Sequence, residues 1–243
     1  MKKHTNALIF GIAIIAAAVF LGNSYANRNN HAGEIQVTGL GSQDFTSDLI
    51  VWGARFEAQQ YNLKDSYTQL EKQKAIILNY LTKKGVPADQ LVFSAVQTSQ
   101  RTKTNYSTTG QYIGEEFIGY QLYQSVEIES KEVEKIEKIS REVTELLNEG
   151  VQLYSNSPRY YYTKLSDLKI EMISKATEDA RVRAENIAKN SGSLLGKLKS
   201  ANMGIFQITG QNSNEDYSWG GTFNTSSKEK TASITMKLEY KIK

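Results

Sequence analysis

Residues 48–84 read DLIVWGARFEAQQYNLKDSYTQLEKQKAIILNYLTKK, and the two halves of this stretch obey different periods. Over Asp48–Gln60, the apolar residues Leu49, Val51, Trp52 and Phe56 stand among polar neighbours, which predicts a long, half-buried strand. From there Leu63, Tyr67, Leu70, Ile77 and Leu81 recur at the three-, four- and seven-residue spacings of an amphipathic helix. Lys83 and Lys84 load the end that the helix dipole makes negative, and Gly85 and Pro87 stop the helix.

That strand and helix open a longer series. Leu91–Thr102, rich in Val, Thr and Phe, predicts a strand, and Asn105–Gly114 a polar turn. Phe117–Ser130 predicts another strand, with Val126 and Ile128 alternating with Ser125, Glu127 and Glu129. Over Lys131–Asn148, Val133, Ile136, Ile139, Val143 and Leu147 have helical spacing, and Gly150 ends that helix. Val151–Tyr162 predicts a strand broken at Pro158, since proline cannot donate to a ladder. The resulting β-α-β-β-α-β order is the ferredoxin-like split pattern, and a smaller strand-helix-strand lobe inserted in a larger one gives the same order.

Outside this middle, Glu34–Gly39 predicts a short strand that Gly39-Leu40-Gly41 breaks. Leu165–Ser191 predicts the longest helix, with Ile170, Ile173, Thr177, Ala180, Ala184 and Ile187 on one face and Gly192 as terminator. Lys197–Thr209 is expected to be extended, Gly210–Ser227 a polar loop and Thr231–Ile242 a closing strand. The fold class is α+β, with antiparallel or mixed sheets, three main helices and one hydrophobic helix in front. The expected division is 1–26 signal peptide or anchor, 27–33 linker and 34–243 folded domain, the last in two lobes, 34–115 with 195–243, and 117–193.

The N-terminus carries a short basic region, Lys2, Lys3 and His4, before an apolar run from Ala7 to Leu21. Two readings stand. The run suits the hydrophobic region of a signal peptide, with Ser24-Tyr25-Ala26 as a small-x-small cleavage site. Extended to Ala26, it has the length of a single membrane span, and Lys2 and Lys3 then keep the N-terminus inside. Either reading exports the domain, to the periplasm or to the outer side of the inner membrane.

With 40% hydrophobic and 23% charged residues in 243, the chain has the composition of a globular protein. The net charge is +3, and without Lys2 and Lys3 it falls to +1, which argues against nucleic acid as a partner. There is no cysteine, and the two histidines, His4 and His31, precede the folded region. Thiol chemistry, cysteine zinc sites and a Ser-His-Asp triad are thereby excluded from that region.

The remaining motifs carry little chemistry. Gly39-x-Gly41 has Asp44 where a dinucleotide fingerprint needs its third glycine. Gly192-Ser193-Leu194-Leu195-Gly196-Lys197 follows a helix instead of opening one, and Leu198 replaces the Ser or Thr of a phosphate loop. Glu115-Glu116 and Glu178-Asp179 are adjacent pairs whose side chains diverge, so neither forms an acid/base couple by itself. No catalytic residue, cofactor or metal ligand is assigned. The candidate partner or ligand surface is aromatic: Tyr154, Arg159, Tyr160 and Tyr162 on one strand, and Tyr217, Trp219 and Phe223 in the glycine-containing loop. A glycan or small-molecule module would need Tyr154, Tyr160 and Tyr162 around one pocket.

Taken in order, several segments resemble the SIMPL domain family, also called DUF541. The marks are Val37-Thr38-Gly39-Leu40-Gly41, then Lys84-Gly85-Val86 followed by Leu91 and Thr98, and Gly119-Tyr120. A stronger one is Asp179-Ala180-Arg181-x-Arg183-Ala184-Glu185-x-Ile187-Ala188 with Gly192 and Leu195-Gly196, before the alternating Ser233–Tyr240. The resemblance covers essentially everything after residue 33. It implies an exported bacterial α+β protein of the periplasm or envelope, linked to stress tolerance and to oligomeric assembly, hence a homo-oligomer. It brings no catalytic residues. The N-terminus departs from the family, many of whose members have a clearly cleavable signal.

Overall fold

The computed structural model describes the backbone of residues 2–28 and 33–243, and the side chains of 11–25 and 33–243. The linker expected at 27–33 lies mostly outside the described residues, as do His31 and the side chain of His4. Helix α1 (Lys2–Arg28) is continuous, so the expected cleavage point after Ala26 falls inside it. Among the described residues, no helix is long and apolar enough to cross a membrane. The expected span begins at Ala7, before the first described side chain of α1.

The chain forms two units: residues 1–42, 170–206 and 233–243, and residues 43–169 and 207–232. This division cuts the chain elsewhere than the two lobes expected from sequence. The second unit is built around β2 (Leu49–Gln60). Its neighbours are β3 (Leu91–Phe93), β4 (Gln97–Tyr106), β5 (Tyr112–Ser130), β6 (Leu153–Ser155) and β7 (Arg159–Tyr161). The sheet runs β3-β5-β2-β6, with β4 also on β5 and β7 also on β2, and every pair is antiparallel. With α2 (Leu63–Lys83) and α3 (Val133–Glu142), this is the β-α-β-β-α-β arrangement expected from the sequence.

Period-two alternation divides β2 between two environments. Ile50, Trp52, Ala54, Phe56 and Ala58 are buried with Leu70, Ile77 and Leu81 of α2 and Ile136 and Ile139 of α3. Arg55 and Glu57 lie on the opposite face of the sheet. Asn62 and Asp65 meet at the start of α2, and Gly85, at φ +87°, turns the chain after it.

Several boundaries move. The strand expected over Leu91–Thr102 is two strands, because Ser94 leaves the ladder and bonds Ser125 through both its N–H and its hydroxyl. The following turn shrinks to Ser107–Gln111, and β4 and β5 extend into a long two-stranded ribbon. The second helix tightens into a 3-10 segment, Val143–Glu149, which Gly150 ends at φ +74°. The segment expected as Lys197–Thr209 is β8 (Leu195–Met203) and β9 (Gln207–Gly210), and the last strand is β10 (Glu229–Ile242).

In the first unit, β1 (Glu34–Thr46) contributes residues up to Ser42, β10 contributes Ser233 onward, and α4 (Leu165–Asn190) contributes Ile170 onward. β1, β10 and β8 are neighbours in that order. The expected break at Gly39-Leu40-Gly41 is absent, and β1 passes through it. A Cβ on Gly39 would stand 2.1 Å from the Ala176 carbonyl oxygen, and one on Gly41 2.3 Å from that of Met172. The glycines therefore admit a helix backbone against the strand. From Ile170 onward the buried face of α4 is narrow: Met172, Ala176, Ala180, Ala184 and Ala188. Ile170 and Ile187, expected on that face, are 66% and 48% exposed.

Candidate functional site

The aromatic residues singled out from the sequence all lie in the second unit, but they do not form one site. Tyr160 pairs with Ile50, whose side chain faces the core, and its own ring is 8% exposed. This corrects its place on a surface, and burial pushes its hydroxyl pKa up. Tyr162 packs against Phe45, with ring centroids 4.8 Å apart and the planes tilted by 51°. Arg159 reaches Glu127 at 3.2 Å. Tyr154 lies opposite Arg55 in the ladder, on the face away from the core. Tyr154 and Tyr160 thus belong to opposite faces, and the pocket that a glycan module would need is not formed by these three tyrosines.

What the sequence did not reveal is the setting of Tyr154. The Arg55 guanidinium lies 5.6 Å from the Tyr154 ring centroid and 5.6 Å from that of Tyr123. β2 runs between β5 and β6, so the two rings come from the strands on either side of it. The Tyr123 hydroxyl donates to Gln97, and the Tyr154 hydroxyl to Glu57 at 3.4 Å.

The loop after β9 is held from within. Gln207 is buried; its side-chain amide donates to the Ser218 carbonyl at 2.8 Å, and its Oε1 accepts from the N–H groups of Thr222 at 2.7 Å and Ser218 at 3.3 Å. Glu215 accepts from the Gly210 N–H at 2.8 Å and from the Asn224 amide at 2.5 Å, and the first of these bonds holds its carboxyl below the usual range. Ile208 and Phe223 form a parallel bridge. This frame presents Tyr217 and Phe223 at 66% and 52% exposure and Trp219 at 96%. Isolated exposed hydrophobics are ordinary on a protein surface. Here three exposed aromatics sit on a loop that the buried Gln207 and Asn224 and the exposed Glu215 hold in place.

Several carboxylates are held in ion pairs and hydrogen bonds. Glu178 pairs with Arg181 at 2.9 Å; Asp179 accepts from the Leu40 N–H at 2.8 Å and pairs with Arg183 at 2.9 Å. These contacts hold both below their ordinary values, and the same direction applies to Glu137, Glu145 and Glu239. Among the described residues, no group of three His, Cys, Asp or Glu side chains is placed to hold a metal ion.

A family model described as "SIMPL: Protein of unknown function (DUF541)" matches residues 35–240. The chain belongs to this family. The SIMPL match runs from β1 into β10 and leaves α1 outside. It contains both the Arg55 stack and the 207–228 loop, and its description assigns neither a role. Among curated proteins nothing matches the chain.

Proposed function

We propose that this SIMPL protein is exported to the cell envelope and works by associating with itself or with a protein partner, without catalysing a reaction. Trp219 carries this reading. A large aromatic side chain held almost wholly in water by a loop locked through Gln207 and Glu215 is prepared for a contact that buries it. Export is supported by Lys2 and Lys3 before the apolar run, and by the continuous α1, where Ile12, Val19 and Phe20 are all exposed. The link to stress tolerance rests on the family resemblance alone.

The test is the mass of the full chain extracted in gentle detergent, by light scattering, with intact-chain mass spectrometry on the same sample. The expected result is a multimer that retains residues 1–26. Trp219→Ser should lower the multimer mass while leaving the unfolding free energy of the chain within about 0.5 kcal/mol of wild type, as for an exposed side chain. A monomer beginning at Asn27 would remove both self-assembly and the anchor.

A further inference from the structure

Arg55 stands on the face of β2 opposite the buried Phe56 and Ala54, flanked by a tyrosine ring from each neighbouring strand. Such stacking restricts a side chain that otherwise has many rotamers. Its N–H groups meet no acceptor among the described residues. Of the acids on the same face, Glu127 pairs with Arg159 at 3.2 Å, and the Glu57 carboxylate lies 3.4 Å from the Tyr154 hydroxyl, with no ion pair to Arg55 from either. A guanidinium already oriented by its neighbours, with its donors unused, gives up less entropy on binding an anion than a freely rotating one.

The surroundings select the anion. One guanidinium with Glu57 two residues away on the same face leaves little net positive charge, which suits a monoanionic carboxylate better than a phosphate. The open face of a sheet is also a surface and not a cleft, so it suits a protein better than a small ligand. Arg and Tyr are the residue types that dominate the energetics of such contacts.

We propose that Arg55, held between Tyr123 and Tyr154, is a docking point for an aspartate or glutamate side chain presented by a protein partner. The stack is built from β2, β5 and β6 and uses no residue of the 207–228 loop, so it stands or falls separately from the reading of Trp219.

The test is a titration of the full chain in uncharged detergent, with the arginine Nε–H groups followed by NMR. The probe is N-acetylglutamate α-amide, which carries one side-chain carboxylate. Arg101, exposed on β4 with neither ring contact nor acceptor among the described residues, is the internal reference. Preorganisation should make Arg55 half-saturate at about tenfold lower probe concentration than Arg101. Tyr123→Phe and Tyr154→Phe keep the rings and should keep this difference; Tyr123→Ala and Tyr154→Ala should shrink it. The proposal is overturned if Arg55 and Arg101 respond alike, or if the glutamine analogue shifts Arg55 equally. It also fails if inorganic phosphate or glucuronate saturates Arg55 well below the glutamate probe, which would assign the stack to a phosphate or an acidic sugar.

Discussion

Gly39→Val is expected to unfold the first unit. Even the Cβ alone would stand 2.1 Å from the Ala176 carbonyl oxygen and 2.4 Å from the Ala180 backbone nitrogen, and both neighbours are main chain that no rotamer change can move. Strand and helix would have to separate, exposing Met172, Ala176, Ala180 and Ala184, at a cost of about 3 kcal/mol or more. Gly53→Ala is the graded comparison. Its nearest neighbour, the Val126 carbonyl oxygen, would be at 3.3 Å, so adjustment of a few tenths of an ångström suffices. Both tryptophans belong to the second unit, so fluorescence does not report on the first. Backbone hydrogen exchange does: Gly39→Val should strip protection from α4, β8 and residues 233–242. Unchanged protection there would contradict the close approach.

The second large effect concerns Lys230, which is 1% exposed and donates from Nζ to the Tyr160 carbonyl oxygen at 2.6 Å. Burial pushes its pKa down from 10.5 to about 8, with Glu215 opposing the shift in part. The folded protein therefore holds fewer protons than the unfolded chain between about pH 8 and 10.5, and the contribution of this residue to stability rises with pH across that window. Below pH 8 the charged ammonium is buried at a cost of about 3 kcal/mol, a cost that is gone above 10.5. Lys230→Met removes the charge and also removes the donor to Tyr160, which costs about 1 kcal/mol at any pH. The variant should thus be more stable than wild type at pH 7 and less stable near pH 10.5, a swing of about 3 kcal/mol in the difference. Urea midpoints at the two pH values measure it. Parallel curves would show that the ammonium is not buried in the folded state.

The sequence revealed the order of elements because each period is local. β2 and α2 are legible from Leu49 to Leu81 with no knowledge of what they touch. Misreadings arose where a distant element decides. Gly39 and Gly41 are open to interpretation as a break, since nothing nearby announces that a helix some 135 residues later lies against them. The same approach splits the expected face of α4: Ala180 and Ala184 are buried as expected, while the bulkier Ile170 and Ile187 stay outside, because alanine fits where backbones nearly touch and isoleucine does not.

The site shows the same limit. Strand alternation across Tyr160, Tyr161 and Tyr162 already implies that the run cannot share one face, and the pairing with Ile50 settles which ring goes inward. Trp219 was visible as an aromatic in a glycine-containing loop, but the bonds from Gln207 and Glu215 that fix it involve side chains whose partners no spacing predicts. Arg55, Tyr123 and Tyr154 meet only because β5 and β6 flank β2; the ferredoxin-like order allows this pairing, but no local spacing fixes the register that brings the three side chains together.

Association through Trp219 is tested most directly by a photocrosslinking amino acid at position 219 of the full chain, activated in intact cells. Lys83, exposed on α2, is the control position. The expected result is a discrete heavier species from position 219 alone, containing a second copy of the chain or one defined partner protein. A chain that stays at its monomer mass from both positions would contradict the account.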